Sequence, residues 1–305
     1  MTTDVPHRAR SMAEMAQIQS RMMAPTDFVT SIKSYQPRPT DIIIAPFGKC
    51  GTTWLQQTFH TLRTRGDMDF DDISRVVPWI ETAHALGIDL EAPQRASPRG
   101  FKSHLAFDRV PKGARYVVSL RDPKDALVSM YHFMNGWFLE SGAVSLAEFA
   151  AVRGTARSDG SDYWHHLISW WEQRDNPDVL LLSYEYMTAD AGGTVAKLAA
   201  FCGIPLDAEL LALTLEQSSL PFMLEHKNRF DDLMMRNLSE ARCNLPAGSD
   251  SSKVRKGGVG GHKQELPAEV ATAIDDLWST LISPSTGFAN YAEMESALRQ
   301  RHRAR

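Results

Sequence analysis

"APFGKCGTTW", residues 45–54, lies between the β-branched run "DIII" and the helix-like run "LQQTFHTL". A short Ile-rich run suits a strand buried on both faces, as in parallel sheets. From Thr52 onward, Leu55, Phe59 and Leu62 recur at helical spacing and predict an amphipathic helix. The turn between the two combines glycines, Lys49 and the paired hydroxyls of Thr52 and Thr53. A helix N-terminus offers free N–H groups and partial positive charge. The loop feeding it is therefore either an anion cradle or a plain strand–helix turn. Its lysine comes early, and Gly51-Thr52-Thr53 closes it. Magnesium-dependent nucleotide enzymes end this loop in Gly-Lys-Ser/Thr instead.

The pattern repeats outward. "GFKSHL" (100–105) reads as a short strand with polar residues at its end, "ARYVVSL" (114–120) as a buried strand, and "DVLLLSYE" (178–185) as a third apolar strand before a helical stretch at 188–201. Strands alternating with helices imply an α/β chain: a three-layer sandwich around a central, doubly wound parallel sheet. Ligands of such sheets sit at the carboxyl ends of the strands. Residues 8–23 suggest an amphipathic N-terminal arm, part of a leading segment 1–35, and a helix is expected near 266–282. The Gly- and Ser-rich stretch 246–262, "PAGSDSSKVRKGGVGGH", reads as a mobile loop rather than a domain linker, so residues 1–305 are taken as one domain. The basic tail "RQRHRAR" is expected to be a frayed, solvated end. No internal repeat is evident.

Composition bounds the function. The 305 residues are 43% hydrophobic and 23% charged, as in a globular protein with a sizeable core. A formal net charge of −4 gives no global attraction to nucleic acid, so an anionic ligand needs a local basic pocket. Cys50, Cys202 and Cys243 form no disulfide framework, which suggests a reducing, cytoplasmic setting. The N-terminus lacks the apolar core of a secretory signal, and no membrane span is expected.

Arg121 ends a strand, where the sheet's crevice opens, and Ser129 shares a helix face with Asp125 and Phe133. An arginine fork grips phosphate bidentately and a serine adds a donor. Asp122-Pro123 reads as a helix cap followed by proline at the first helical position, with a metal-ligand role for Asp122 as the alternative. The adjacent pair His165-His166 does not share a helix face, which argues against a metal site. "WHHLISWW" (164–171) is spaced like a core-facing helix.

Four segments, in order, resemble the cytosolic sulfotransferase family, whose fold is P-loop NTPase-like. "PFGKCGTTW" is similar to its phosphosulfate-binding loop, "FKSHL" to the segment carrying its catalytic histidine, "RDPKDALVSMYHF" to its 3′-phosphate signature, and "RKGGVGGHK" (255–263) to its C-terminal Arg-Lys-Gly loop. The resemblance implies a co-substrate, 3′-phosphoadenosine 5′-phosphosulfate (PAPS), and no metal. By position, Lys49, Cys50, Gly51, Thr52 and Thr53 would hold the 5′ end, and Trp54 would stack on adenine. Arg121 and Ser129 would hold the 3′-phosphate with Arg255, Lys256 and Gly257, in a loop that covers the donor. Tyr184, Ser218 and Leu220 would lie beside the nucleotide. The chain departs from the family at Gly48 (usually proline), Cys50 (usually serine), Leu220 (usually aromatic) and "GGHK" (usually Gly-Asp-Trp-Lys). Pro267 and Ala268 replace the Thr-Val of the vertebrate dimer motif, so that dimer is not carried over and the oligomeric state stays open.

The activity implied is sulfuryl transfer to a small hydroxylated acceptor. His104 would be the base, Lys49 would offset charge on the leaving phosphate and Lys102 would support the transition state. In a strand Lys102 and His104 share a side. Trp79, Phe107, Phe133, Trp137 and Phe138 fall in acceptor-lining segments, with Met223, Met234 and Met235 as further candidates. Such walls suit an apolar alcohol or phenol. Two alternatives remain at this point: a P-loop phosphotransferase, and a catalytically silent nucleotide-binding protein.

Overall fold

The computed structural model describes residues 5–304; residues 1–4 of the expected arm and Arg305 of the tail lie outside it. Four strands, β1 (Ile42–Ile44), β2 (Gly100–Lys102), β3 (Arg115–Leu120) and β4 (Val179–Ser183), form a sheet in the order β2-β1-β3-β4. Every pairing is parallel. The chain leaves β1 in one direction and crosses back over it to reach β3, so the strand order reverses at β1 and β3. A crevice opens beyond the carboxyl ends of strands at such a reversal. Ile44 pairs with Lys102 on one side and with Val117 on the other. That register places Lys102 beside the start of the 45–51 loop.

Alternate strand residues face opposite layers. Ile42, Ile44, Val117 and Leu182 pack with Leu55, Phe59 and Leu62 of the Thr52–Thr64 helix and with Val195 and Leu198 of the Ala191–Cys202 helix. Ile43, Phe101, Tyr116 and Val118 pack on the other side, against Leu127, Trp164, Leu167 and Trp170. Burying each large apolar side chain contributes roughly 1.5–3 kcal/mol. The result is the expected α/β sandwich. The aromatic run 164–171 is core, as its spacing indicates: Trp164, Trp170 and Trp171 are buried.

The expected arm is two helices, Met12–Ser20 and Pro25–Ser34, and the first packs into the core through Met15 and Ile18. The helix expected near 266–282 spans Ala268–Leu277 and continues as a π-turn, Trp278–Ile282. The tail differs from expectation. It is the last turns of the Tyr291–Ala304 helix, tied down by Arg301 on the Arg174 carbonyl and His302 on the Leu181 carbonyl. Arg301 and His302 are thus spent on partners that only the folded chain brings near.

Candidate active site

The loop after β1 is built to face an anion. Ala45 donates to Val117, Cys50 to Phe47, and the Ser119 hydroxyl to the Cys50 carbonyl. Gly51 ends the loop at φ 97°, where a Cβ would come within 3.0 Å of the Tyr184 ring. Lys49 adopts φ 69° without being glycine. Such a conformation costs of order 1–3 kcal/mol and persists where the surroundings fix it. At Gly48, the departure from proline, an added Cβ would lie 2.8 Å from the terminal methyl of Met130, a flexible group that can move aside.

Arg121 leaves the end of β3 and is 9% exposed. It donates to the Lys49 carbonyl at 2.7 Å and to the Gly258 carbonyl at 3.1 Å, and its guanidinium lies 4.2 Å over the Tyr184 ring. One arginine thus joins the first loop to the 246–262 loop. Asp122 caps the Pro123–Met134 helix by accepting from the Lys124 N–H, so the cap reading holds. Asp125, on the same helix, accepts from the Gly260 N–H at 2.6 Å and from the N–H and Nδ1 of His262 at 2.9 and 2.8 Å. The "GGHK" departure therefore closes the loop through a His262–Asp125 pair.

Lys102 and His104 follow in turn. The Lys102 ammonium lies 3.8 Å over the Trp79 ring and 3.9 Å from Asp232. His104 Nδ1 is 2.7 Å from the Pro46 carbonyl, and its backbone N–H donates to buried Glu81 at 2.6 Å. A carbonyl only accepts, so Nδ1 carries the proton and Nε2 of the neutral ring is an acceptor. Burial, then the Lys102 charge, holds His104 well below the usual imidazole range. Burial, then Lys253, lowers Lys49 to about 7 and Lys102 to about 8.

These groups meet in one cavity of about 670 Å³. Lys49, Gly51, Thr52, Thr53, Trp54, Lys102, His104, Arg121, Ser129, Tyr184, Ser218, Leu220, Arg255, Lys256 and Gly257 all line it. So do Trp79, Phe133, Trp137, Phe138, Met223 and Met235 among the expected apolar residues. Three expected residues fall elsewhere. The Cys50 thiol is buried away from the cavity and pushed up to about 12 by that burial, so the missing serine hydroxyl changes nothing on the lining. Phe107 packs edge-on against Trp170 and Tyr116, under the Lys112 ammonium. Met234 lies outside the lining, its N–H given to Asp72. The cavity also takes residues the sequence did not signal: Gln19 from the first N-terminal helix, Met22 from the turn after it, and Asp232 and Lys253. The nearest signals were the Asp231-Asp232 doublet and a lysine two places before Arg255. His166, of the pair that does not share a helix face, is structural: its Nε2 donates to the Ala45 carbonyl at 3.1 Å.

The donor set suits a phosphorylated adenosine. Arg121 Nε and Thr52 Oγ1 are buried polar atoms with no partner in the protein. Gly257, at φ 61°, brings the loop backbone against Leu220, where a Cβ would meet the side chain at 2.9 Å. Among the described residues, no group of three or more His, Cys, Asp or Glu could hold a metal ion.

Sheet, loop and paired basic grips define a P-loop-like transferase acting on a nucleotide-borne anionic group. A sulfotransferase-domain family model matches residues 39–286, and the chain belongs to the sulfotransferase family. Human Sulfotransferase 1C2 is 24% identical over 280 residues, 87% of this chain and 91% of that protein. Sulfotransferase 2A1 of Macaca fascicularis is 30% identical over 246 residues, 78% and 82% of the two chains. A mouse sulfotransferase complexed with PAP superposes with a TM-score of 0.67 at 21% identity, over 91% of this chain and 95% of that one. Retinol dehydratase in complex with androsterone and inactive cofactor PAP gives 0.67 at 19% identity, over 84% and 85%. The chain is a sulfotransferase, moving the sulfuryl group of PAPS to a hydroxyl of a small acceptor. No helix among the described residues is long and apolar enough to cross a membrane.

Proposed function

We propose that the acceptor is a small apolar alcohol or phenol and that His104 removes its proton. The observation that carries this is the His104–Pro46 hydrogen bond, which fixes the imidazole tautomer of a residue lining the cavity. PAPS, when bound, supplies the sulfuryl group. Lys49, Thr52 and Thr53 hold its 5′ end, with Gly51 giving backbone access and Trp54 an aromatic face for the base. Arg121, Ser129, Arg255, Lys256 and Gly257 hold its 3′-phosphate. Tyr184, Ser218 and Leu220 flank the adenosine. Lys49 and Lys102 oppose the charge that develops as the sulfuryl group moves. The 246–262 loop covers the donor, an assignment supported by its ties to Arg121 and Asp125. We read the chain as one sulfotransferase domain acting in the cytoplasm. The family match over 39–286 and the three unpaired cysteines support that reading.

The acceptor class rests on the apolar part of the lining, where the Lys49 and Lys102 ammonium groups lie over the Phe133 and Trp79 rings. Trp79, Phe133, Met134, Trp137, Phe138 and Met235 line it, and Trp137 stacks on Phe138 with centroids 5.1 Å apart. Retinol and androsterone, named with retinol dehydratase, are apolar molecules bearing hydroxyls. The test is a PAPS-dependent acceptor screen setting steroid alcohols and simple phenols against sugars and charged amines. Turnover with the apolar hydroxyls is expected. Preference for sugars or amines would remove the acceptor assignment.

A further inference from the structure

A buried carboxylate beside an anion-binding cavity needs a reason, because it repels the ligand. Asp232 is 2% exposed, lines the cavity, and sits at φ 49° ahead of the Leu233–Cys243 helix. Its Oδ1 is 2.5 Å from the Lys253 ammonium and 3.9 Å from that of Lys102. Residues 249–253 are bound to this corner at alternate positions. Arg236 donates to the Ser249 carbonyl, the Ser251 hydroxyl to Asp231, and Lys253 to Asp232. Ser252 between them adopts φ 45°, so the chain turns there, and these hydrogen bonds hold Ser251 and Lys253 against the corner. Two residues further on, the same loop presents Arg255, Lys256 and Gly257 to the cavity.

We propose that Asp232 is a positioning residue for sulfuryl transfer: it docks Lys253, carried on the donor-covering loop, against Lys102, so that loop closure adds a third ammonium to Lys49 and Lys102. This rests on the assignment of Lys49 and Lys102 to the reacting centre. Removing one partner of a buried ion pair leaves an uncompensated charge, so Asp232 and Lys253 act as a unit. The charged groups facing this corner are Lys49 from the first loop, Lys102 at the end of β2 and His104 beyond it, Arg121 just after β3, Glu81 and Asp72 from the 72–82 segment, and Asp231 with its neighbours Arg236 and Asp250. Burial pushes the Asp232 carboxyl up, but Lys253 and Lys102 outweigh it and leave it at about 2. Asp232 raises the affinity of Lys49 and Lys102 for protons, and Lys253 lowers it.

The two partners therefore push the lysines in opposite directions, and the test uses that. PAP affinity is measured by calorimetry from about pH 6 to about pH 9 in the wild type, Asp232→Asn, Lys253→Met and the double variant, with a melting curve for each. The pH above which affinity falls should move down by about one unit in Asp232→Asn and up by about one in Lys253→Met. The double variant should return close to wild type. Coincident midpoints in all four would overturn the proposal. If Asp232→Asn does not fold, an unmoved midpoint in Lys253→Met overturns it alone. Lys49→Met is the control for the underlying assignment. Full PAP affinity and turnover in that variant would remove the assignment and the proposal with it, whereas their loss beside unmoved midpoints overturns the proposal only.

Discussion

Arg121 donates to the carbonyl of Lys49 at 2.7 Å, so the two basic segments that line the cavity are one connected device. The register of β1 with β3 makes the contact possible by bringing the end of each strand to the same crevice. One N–H of Nη1 and one of Nη2 go to the Lys49 and Gly258 carbonyls, and Nε is buried without a partner in the protein.

Arg121→Ala should therefore weaken PAP by about 100-fold, in line with a lost charge-assisted bond of roughly 1.5–3 kcal/mol. The loss for 5′-AMP, which lacks the 3′-phosphate, should be much smaller. Titration calorimetry with both ligands checks this; equal losses would detach Arg121 from the 3′-phosphate.

Asp125 holds the 246–262 loop through three N–H donors on Gly260 and His262. Asparagine keeps one acceptor oxygen and adds donors that face other donors. Asp125→Asn should loosen the loop, weaken PAP by about tenfold, and expose residues 246–262 to limited proteolysis. Unchanged cleavage would mean that the latch does not hold the loop.

The dependence of kcat/KM for PAPS on pH follows from the lysines. Burial favours the neutral amine, so Lys49 near 7 and Lys102 near 8 lose their protons as pH rises through those values. Activity should fall on the alkaline side with them. His104 is held well below 6.5, so the neutral base persists into mildly acidic solution. A profile that instead rises through pH 7 would contradict the assignment of these charges. Saturating donor should move the alkaline limb of kcat upward, because a bound anion favours the ammonium forms.

Much of this was legible because its signals are local. A β-branched run, a glycine turn and a 3.6-period helix identify β1 and its loop within residues 41–64, and Asp122-Pro123 announces the next helix by its cap. Lys102 and His104 were found through the resemblance of "FKSHL" to a family segment; the strand itself ends at Lys102, so its period does not reach His104. What was missed is non-local. Asp232 and Lys253 are neighbours only after the 231–236 and 249–253 segments fold together. Gln19 and Met22 reach the cavity from a segment whose sequence marks it only as amphipathic. Position in a family pattern also misleads where a side chain can turn inward. Cys50 sits in the loop yet faces the core, and Phe107 lies near His104 in sequence but supports Trp170.

The central claim is that a neutral imidazole at position 104 takes the acceptor's proton, and single-turnover transfer by His104→Ala tests it most directly. With donor saturating and PAP affinity measured on the same protein, the rate should fall by about 10²–10⁴-fold while PAP affinity stays within about twofold, since no donor-holding role is assigned to His104. Transfer at the wild-type rate would contradict the account.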